Sequence, residues 1–176
     1  VLQQVLLLGL AVSFAREFEK RTFKSELMSH TQSPFLMILV KAIPFWFLSI
    51  GIVILFYGFH KLFNAPLPYK LGPFVLNTTL FVGAVSMLGI FLSVLFKDSL
   101  RATQVLMLMA APAFIIGGYS WPLQAMPHGV QLLANAIPLT PFLEAHKMLL
   151  FEKADITVLA PHLKAMVWQI LGYGIL

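Results

Sequence analysis

Apolar residues in this chain gather into long unbroken runs instead of recurring every third or fourth position as on a soluble helix. Residues 35–59, 74–96 and 102–118 form three such runs. At a rise of about 1.5 Å per residue, each is long enough, or nearly so, to cross roughly 30 Å of hydrocarbon as a helix. Residues 1–14 are apolar and read as the tail of a further helix, and residues 166–176 as the head of another. The first run lacks the basic start and small-residue cleavage site of a signal peptide. The pattern predicts an all-α, polytopic membrane protein, a single transmembrane domain forming part of a longer protein.

The segments between the runs differ in kind. Residues 15–33 read AREFEKRTFKSELMSHTQS, the most charged stretch of the chain. Arg16, Lys20 and Lys24 recur every four residues as a basic stripe, Glu17 can pair with Arg21, and Phe23 with Leu27 makes a small apolar edge. This predicts a surface helix, either a lipid-facing linker or a docking element, before Pro34 resets the chain. In the run 35–59, Lys41 lies near enough to one end to snorkel and Pro44 predicts a kink. Residues 60–72 carry Asn64, Pro66, Pro68 and Gly72, which mark an exterior connection. Asn77, Thr78, Thr79, Gly83 and Gly89 in the run 74–96 suit close helix packing. Lys97, Asp98 and Arg101 make a very short charged turn. From 119 to 164, Pro122, Pro127, Pro138 and Pro141 divide the chain into pieces such as 128–136 and 142–151, apolar but too short to span. A re-entrant gate and an interfacial pair that shields the bundle both fit this pattern.

Composition sharpens the picture: 59% of residues are apolar and 11% charged, against roughly half and a quarter in soluble domains. The net charge of +5 comes from basic residues beside apolar spans, which points to anionic lipid and not to nucleic acid. Arg16, Lys20, Arg21, Lys24, Lys41, Lys97 and Arg101 outnumber Lys61, Lys70, Lys147, Lys153 and Lys164 on the other side, placing the Arg16 segment in the cytoplasm. With no cysteine, disulfides and thiolate metal sites are excluded. No phosphate loop ending in Lys-Ser or Lys-Thr, no G-x-S-x-G elbow and no H-E-x-x-H pair occurs. His128, Glu144, His146, Glu152, Asp155 and His162 are the polar residues of the external segment. Glu144 and His146, two apart, fall on different faces of a helix, and no metal site is expected.

Two segments carry a resemblance. Arg16-Glu17-Phe18-Glu19-Lys20-Arg21-Thr22, followed by Leu27 and Met28 and later by Lys41-Ala42-Ile43-Pro44, is similar to the cytoplasmic R-E-x-E-x-G-T stretch of type-2 ATP-binding-cassette permeases, with Arg21 in place of the glycine. Gly117-Gly118-Tyr119-Ser120-Trp121-Pro122, then Met126-Pro127, then Pro138-Leu139-Thr140-Pro141-Phe142-Leu143-Glu144 resembles the segment after that family's fifth helix. Lys147 stands where an arginine is common. The likeness is strongest to the bacterial multidrug or hydrophobic-compound exporter branch.

This resemblance covers nearly the whole chain and implies the second to sixth helices of a six-helix permease in the bacterial inner (plasma) membrane. It implies a coupling helix carrying Arg16, Glu17, Glu19, Lys20, Thr22, Lys24, Leu27 and Met28, docked on an ATPase subunit that holds ATP and Mg. It also implies an outer gate carrying Trp121, Pro122, Met126, Pro127, Pro138, Thr140, Phe142 and Glu144, and a second permease chain, identical or different, as partner. The expected activity is export of an apolar or amphipathic substrate, with no cofactor in this chain. The residues alone leave open a membrane-embedded enzyme using Glu144, His146 or His162, and a non-transporting scaffold.

Overall fold

A computed structural model describes residues 2–20, 34–64, 68, 70–96 and 98–175, with the side chains of 17–20, 34–39 and 41 outside the description. Among the described residues all regular structure is helical: α1 (Leu2–Lys20), α2 (Pro34–Leu62), α3 (Leu71–Phe96), α4 (Ser99–Ile116), a 3₁₀ turn (Leu123–Ala125), α5 (His128–Ala136), α6 (Leu139–Phe151) and α7 (Ile156–Gly174). Three stretches, Ala42–Leu62, Leu71–Phe96 and Ser99–Ile116, are long and apolar enough to cross a membrane. The outer surface agrees with that. Phe47, Leu108 and Trp168 are each more than 70% exposed, amid dozens of other exposed apolar side chains. Water would penalise such a surface heavily, and lipid would not.

The predicted surface helix differs at its start. Residues 15–20 continue α1 without a break, because Phe14 and Ala15 are still buried in the bundle. Arg16 is the first exposed residue. Thr22, Lys24, Leu27 and Met28 lie outside the described residues. At the other end, α7 begins at Ile156, ten positions before the predicted head at Met166. His162, Lys164 and Pro161 give this stretch a loop-like composition. Its Leu159, Leu163 and Met166, spaced at helical intervals, are buried and hold it as a helix.

The core is built on α1 and α3. α1 and α3 meet closely at Gly89, where a β-carbon would just make van der Waals contact, 3.4 Å from Leu10 Cβ and 3.7 Å from the Leu7 carbonyl. Ala84, Val85, Ser86 and Ser93 continue the same buried stripe. Small residues suit a bundle in lipid, where close van der Waals packing replaces the hydrophobic effect as the associating force. In α3, buried hydroxyls are answered within the helix: Ser86 donates to the Val82 carbonyl at 2.7 Å and Thr78 to that of Phe74 at 2.9 Å. Ser86 also accepts from the Trp46 indole N–H of α2 at 3.0 Å.

Directions follow from the side-chain pairs. Lys70 and Asp155, ahead of α3 and α7, pair at 3.0 Å. Gly83 faces Ile170, and the rings of Phe91 and Tyr173 lie 5.8 Å apart. Thus α3 and α7 run side by side in the same sense. The hydrogen bond and charge of Lys70 hold the exposed Asp155 carboxyl below its ordinary pKa. α4 is started by Asp98, whose carboxylate accepts from the N–H groups of Leu100 at 2.9 Å and Arg101 at 3.4 Å. An N-cap of this kind contributes about 1 kcal/mol. Asp98→Ala should therefore lower the melting temperature of the purified protein by about 2–4 °C, and Asp98→Asn, which keeps the acceptor, by much less. Equal losses in the two variants would show that charge, and not capping, matters at this turn.

Candidate functional site

α5 and α6 form a hairpin whose tip is driven into the bundle. Ile137 and Pro138 make the tip, and Pro138 is fully buried. Proline at 138 cannot donate a backbone hydrogen bond, so the break between the two helices is enforced by the sequence. The carbonyls at the end of α5 are each answered: Ala134 by the Ile137 N–H at 3.0 Å, Asn135 by the Gln169 side chain at 2.8 Å, and Ala136 by the Tyr173 hydroxyl. Gln169 and Tyr173 belong to the last turns of α7, which places the tip beside the middle of the bundle. From there α6 climbs along α3. The ring of Phe142 stacks on Phe81 with centroids 4.1 Å apart, and the Asn77 amide lies 3.5 Å from the Phe142 carbonyl as a long hydrogen bond.

The hairpin is tied to the end of α4 by charge and by glycine. Gly118 has φ +83°, a left-handed conformation that glycine adopts freely. Its carbonyl accepts from Lys147 at 2.6 Å, and Lys147 in turn lies 3.5 Å from Glu144. A β-carbon at Gly118 would meet the Glu144 carboxylate at 3.2 Å, and one at Gly117 would meet Leu139 at 3.1 Å. The chain leaving α4 therefore passes directly against α6.

The residues expected to form an outer gate fall into two sets. Met126, Pro138 and Thr140 are buried, with Phe142 and Glu144 partly so, in contact with α3, α4 or the rest of the hairpin. Trp121, Pro122 and Pro127 are exposed around the 3₁₀ turn. Glu144 and His146 point to different neighbours, as their spacing requires: Glu144 to Lys147, and His146 to the rings of Phe74 and Phe142. His128, Glu152 and Asp155 are exposed and His162 is half-buried. Among the described residues no three histidines or carboxylates lie close enough to hold a metal ion.

Beside the hairpin lies a cavity of about 700 Å³, walled by the first turn of α1, the last turns of α2, the start of α3, the end of α4, and α6. Aromatic rings dominate its wall, and the described lining residues include no Asp, Glu, Lys or Arg. Gln3, Gln4, His60 and His146 are its polar lining residues besides Thr78, Tyr57 and Tyr119. Burial among the rings, and then the neighbouring His60, hold the His146 imidazole on α6, outside the three spans, below the ordinary histidine pKa. Sequence reasoning missed this cavity and the tie at Gly118. A pair of glutamines inside an apolar run was the available signal, since amides are costly in lipid and are kept where they face a partner or a cavity.

Two outcomes follow. Gly118→Ala should destabilise the protein by about 1–2 kcal/mol, because alanine resists the left-handed conformation, with a further loss from crowding Glu144. Thermal unfolding in detergent reads this, and an unchanged melting temperature would refute the strained turn. For His146, protonation favours the unfolded chain. Its contribution to stability is complete above the ordinary histidine pKa of about 6.5 and is lost as the pH falls below it. The melting temperature should decline on acidification from about pH 6.5, and His146→Phe should flatten that decline.

No curated protein and no solved structure matches the chain. A family model described as ABC-2 family transporter protein matches it over residues 1–176. The chain thus belongs to the ABC-2 transporter family and is a helical, membrane-spanning permease component of an ATP-binding-cassette transporter.

Proposed function

We propose that the chain is the membrane subunit of an ATP-driven exporter that moves an apolar or amphipathic compound out across the bacterial inner membrane, as in the multidrug or hydrophobic-compound branch. Its partners are an ATPase subunit, which holds ATP and Mg, and a second permease chain of the same or a different sequence. The observation that carries this reading is the continuity of α1. One unbroken helix runs from the packed core, where Leu6, Leu10 and Phe14 are buried, to the exposed Arg16 and on to Lys20.

A helix packed in this way transmits displacement instead of absorbing it, since packed interiors yield little. Movement of an ATPase against the Arg16, Glu17, Glu19 and Lys20 end would be passed along α1 to α3, and so to the hairpin stacked on α3 through Phe81 and Phe142. Thr22, Lys24, Leu27 and Met28 extend the docking segment in sequence. At the opposite end, the hairpin with Met126, Pro138, Thr140, Phe142 and Glu144, flanked by Trp121, Pro122 and Pro127, acts as the outer gate. Nucleotide binding energy would shift an inward-open and outward-open equilibrium through this connection.

The full-length permease carrying Arg16→Glu and Lys20→Glu, reconstituted with its ATPase, should lose substrate-stimulated ATP hydrolysis by about ten-fold, within the range of ordinary coupling energies. Its amount in the membrane should be unchanged. Full stimulation in that variant would overturn the coupling role of the α1 end.

A further inference from the structure

We propose that the gap between α2 and α3, towards the end of the bundle away from Arg16, is a side portal through which an acyl chain of a bilayer phospholipid enters the cavity beside α6. The proposal goes beyond the exporter reading and depends only on the chain spanning a membrane.

α2 and α3 are joined at one level and part beyond it. The joint is Trp46, whose indole N–H donates to Ser86 at 3.0 Å. Beyond Ser49 no described residue of α2 is buried, whereas α3 keeps a buried stripe from Asn77 to Ser93. α2 therefore leans away from the bundle, and a groove of about 540 Å³ opens in the angle, lined by α2, α3 and Ile170 of α7.

This groove and the cavity of about 700 Å³ lie on two sides of the same gap. Val53 of α2 and Phe74 and Thr78 of α3 line both, so they form the boundary the two spaces share. On the cavity side the wall continues to Phe142 and Leu143 of α6. On the groove side it continues to Ile50, Ile54 and Val75, each more than half exposed on the outer surface.

The chemistry of the groove selects hydrocarbon. Its hydroxyls are answered inside the protein: Ser49 donates to the Phe45 carbonyl at 2.7 Å, Thr78 to that of Phe74 at 2.9 Å and Thr79 to that of Val75 at 2.8 Å. No Asp, Glu, Lys or Arg is among its described lining residues. A polar guest would give up its water there and gain no partner, while an acyl chain has nothing polar to lose. The surroundings supply the source. Ile50, Ile54 and Val75 belong to two helices long and apolar enough to cross a membrane, so bilayer chains meet the mouth of the groove. An unfilled apolar space forfeits the dispersion contacts of its lining, and a chain reaching past Val53 and Phe74 restores them on both sides of the gap.

The test uses the full-length permease in phosphatidylcholine nanodiscs, part of the lipid carrying a photoreactive diazirine near the end of one acyl chain. Illumination attaches the chain where it lies, and mass spectrometry identifies the labelled residues. Labels are expected on Trp168 of the outer surface, on Ile54 and Val75 at the mouth, and on Phe142 and Leu143 inside. These 176 residues include no cysteine. Val53→Cys, with any cysteine elsewhere in the full-length chain changed to serine, therefore offers a single thiol at the shared boundary. Before modification this variant should label as the native chain does. Capping the thiol with benzyl methanethiosulfonate after folding should remove the Phe142 and Leu143 labels and spare that on Trp168. Dithiothreitol, which removes the cap, should restore them.

Trp168 labelled without Phe142 or Leu143 in the native chain would overturn the proposal. Labels on Phe142 and Leu143 that survive capping would overturn it too, because the chain would then enter by another way. Absence of label on Ile54 and Val75, with Trp168 labelled, would show that protein covers the groove, either a second copy or another segment of the full-length chain, and would likewise overturn it.

Discussion

A helix that ends leaves its last carbonyls without partners of its own, and other groups must take them over. The break between α5 and α6 is where this chain meets that demand. Pro138 stops the helical ladder, and three consecutive carbonyls at the end of α5 are then taken by the Ile137 N–H, the Gln169 amide and the Tyr173 hydroxyl. The rest of the arrangement depends on those bonds. They require α7 to pass the hairpin tip with Gln169 and Tyr173 on the facing side. α7 in turn is aligned on α3 by the Lys70–Asp155 pair and by the close approach at Gly83.

The hairpin is held differently on its two sides. Towards α3 the contact is a ring stack and one long hydrogen bond from Asn77. Towards α4 it is a charged tie: Lys147 bridges the Gly118 carbonyl and the Glu144 carboxylate across a left-handed turn. Charge-assisted bonds of this kind are stronger than neutral ones and geometrically definite.

Small residues set how near the central helices come. Gly89 and Gly9 stand where α1 meets α3 and α2, and a β-carbon at Gly9 would collide with the Phe45 ring at 2.2 Å. In lipid there is little gain from burying apolar surface as such, and close packing supplies the cohesion. The outermost helix, α2, shows the converse. From Phe47 to Phe63 most of its large apolar side chains are exposed, and it meets the bundle chiefly around Ala42, Phe45 and Trp46. Its far end stands away from α3, and the cavity opens up in that space.

Membrane residence, helical class and the three spans were legible in the sequence because they depend on run length and composition, properties each segment carries by itself. The short helix at 128–136 was legible too, since proline acts locally, and the piece read as 142–151 begins three residues earlier at Leu139, because Pro141 falls in the first turn of α6, where proline is tolerated. The end of α1 was read as a separate surface helix, because charge in Arg16, Glu17 and Lys20 marks solvent but does not say whether a helix ends there. Burial of Phe14 and Ala15 in the bundle decided that it does not. The start of α7 was hidden for a like reason, its polar residues looking like a loop until Leu159, Leu163 and Met166 found partners. Which residues share a site was decided only by the tertiary structure. Gln3, His60, Phe81 and His146 are far apart in the chain and sit in four different helices, and nothing in local spacing fixes how helices rotate about their axes. That rotation is set by the packing between the helices, and it alone brings these residues to the wall of one cavity.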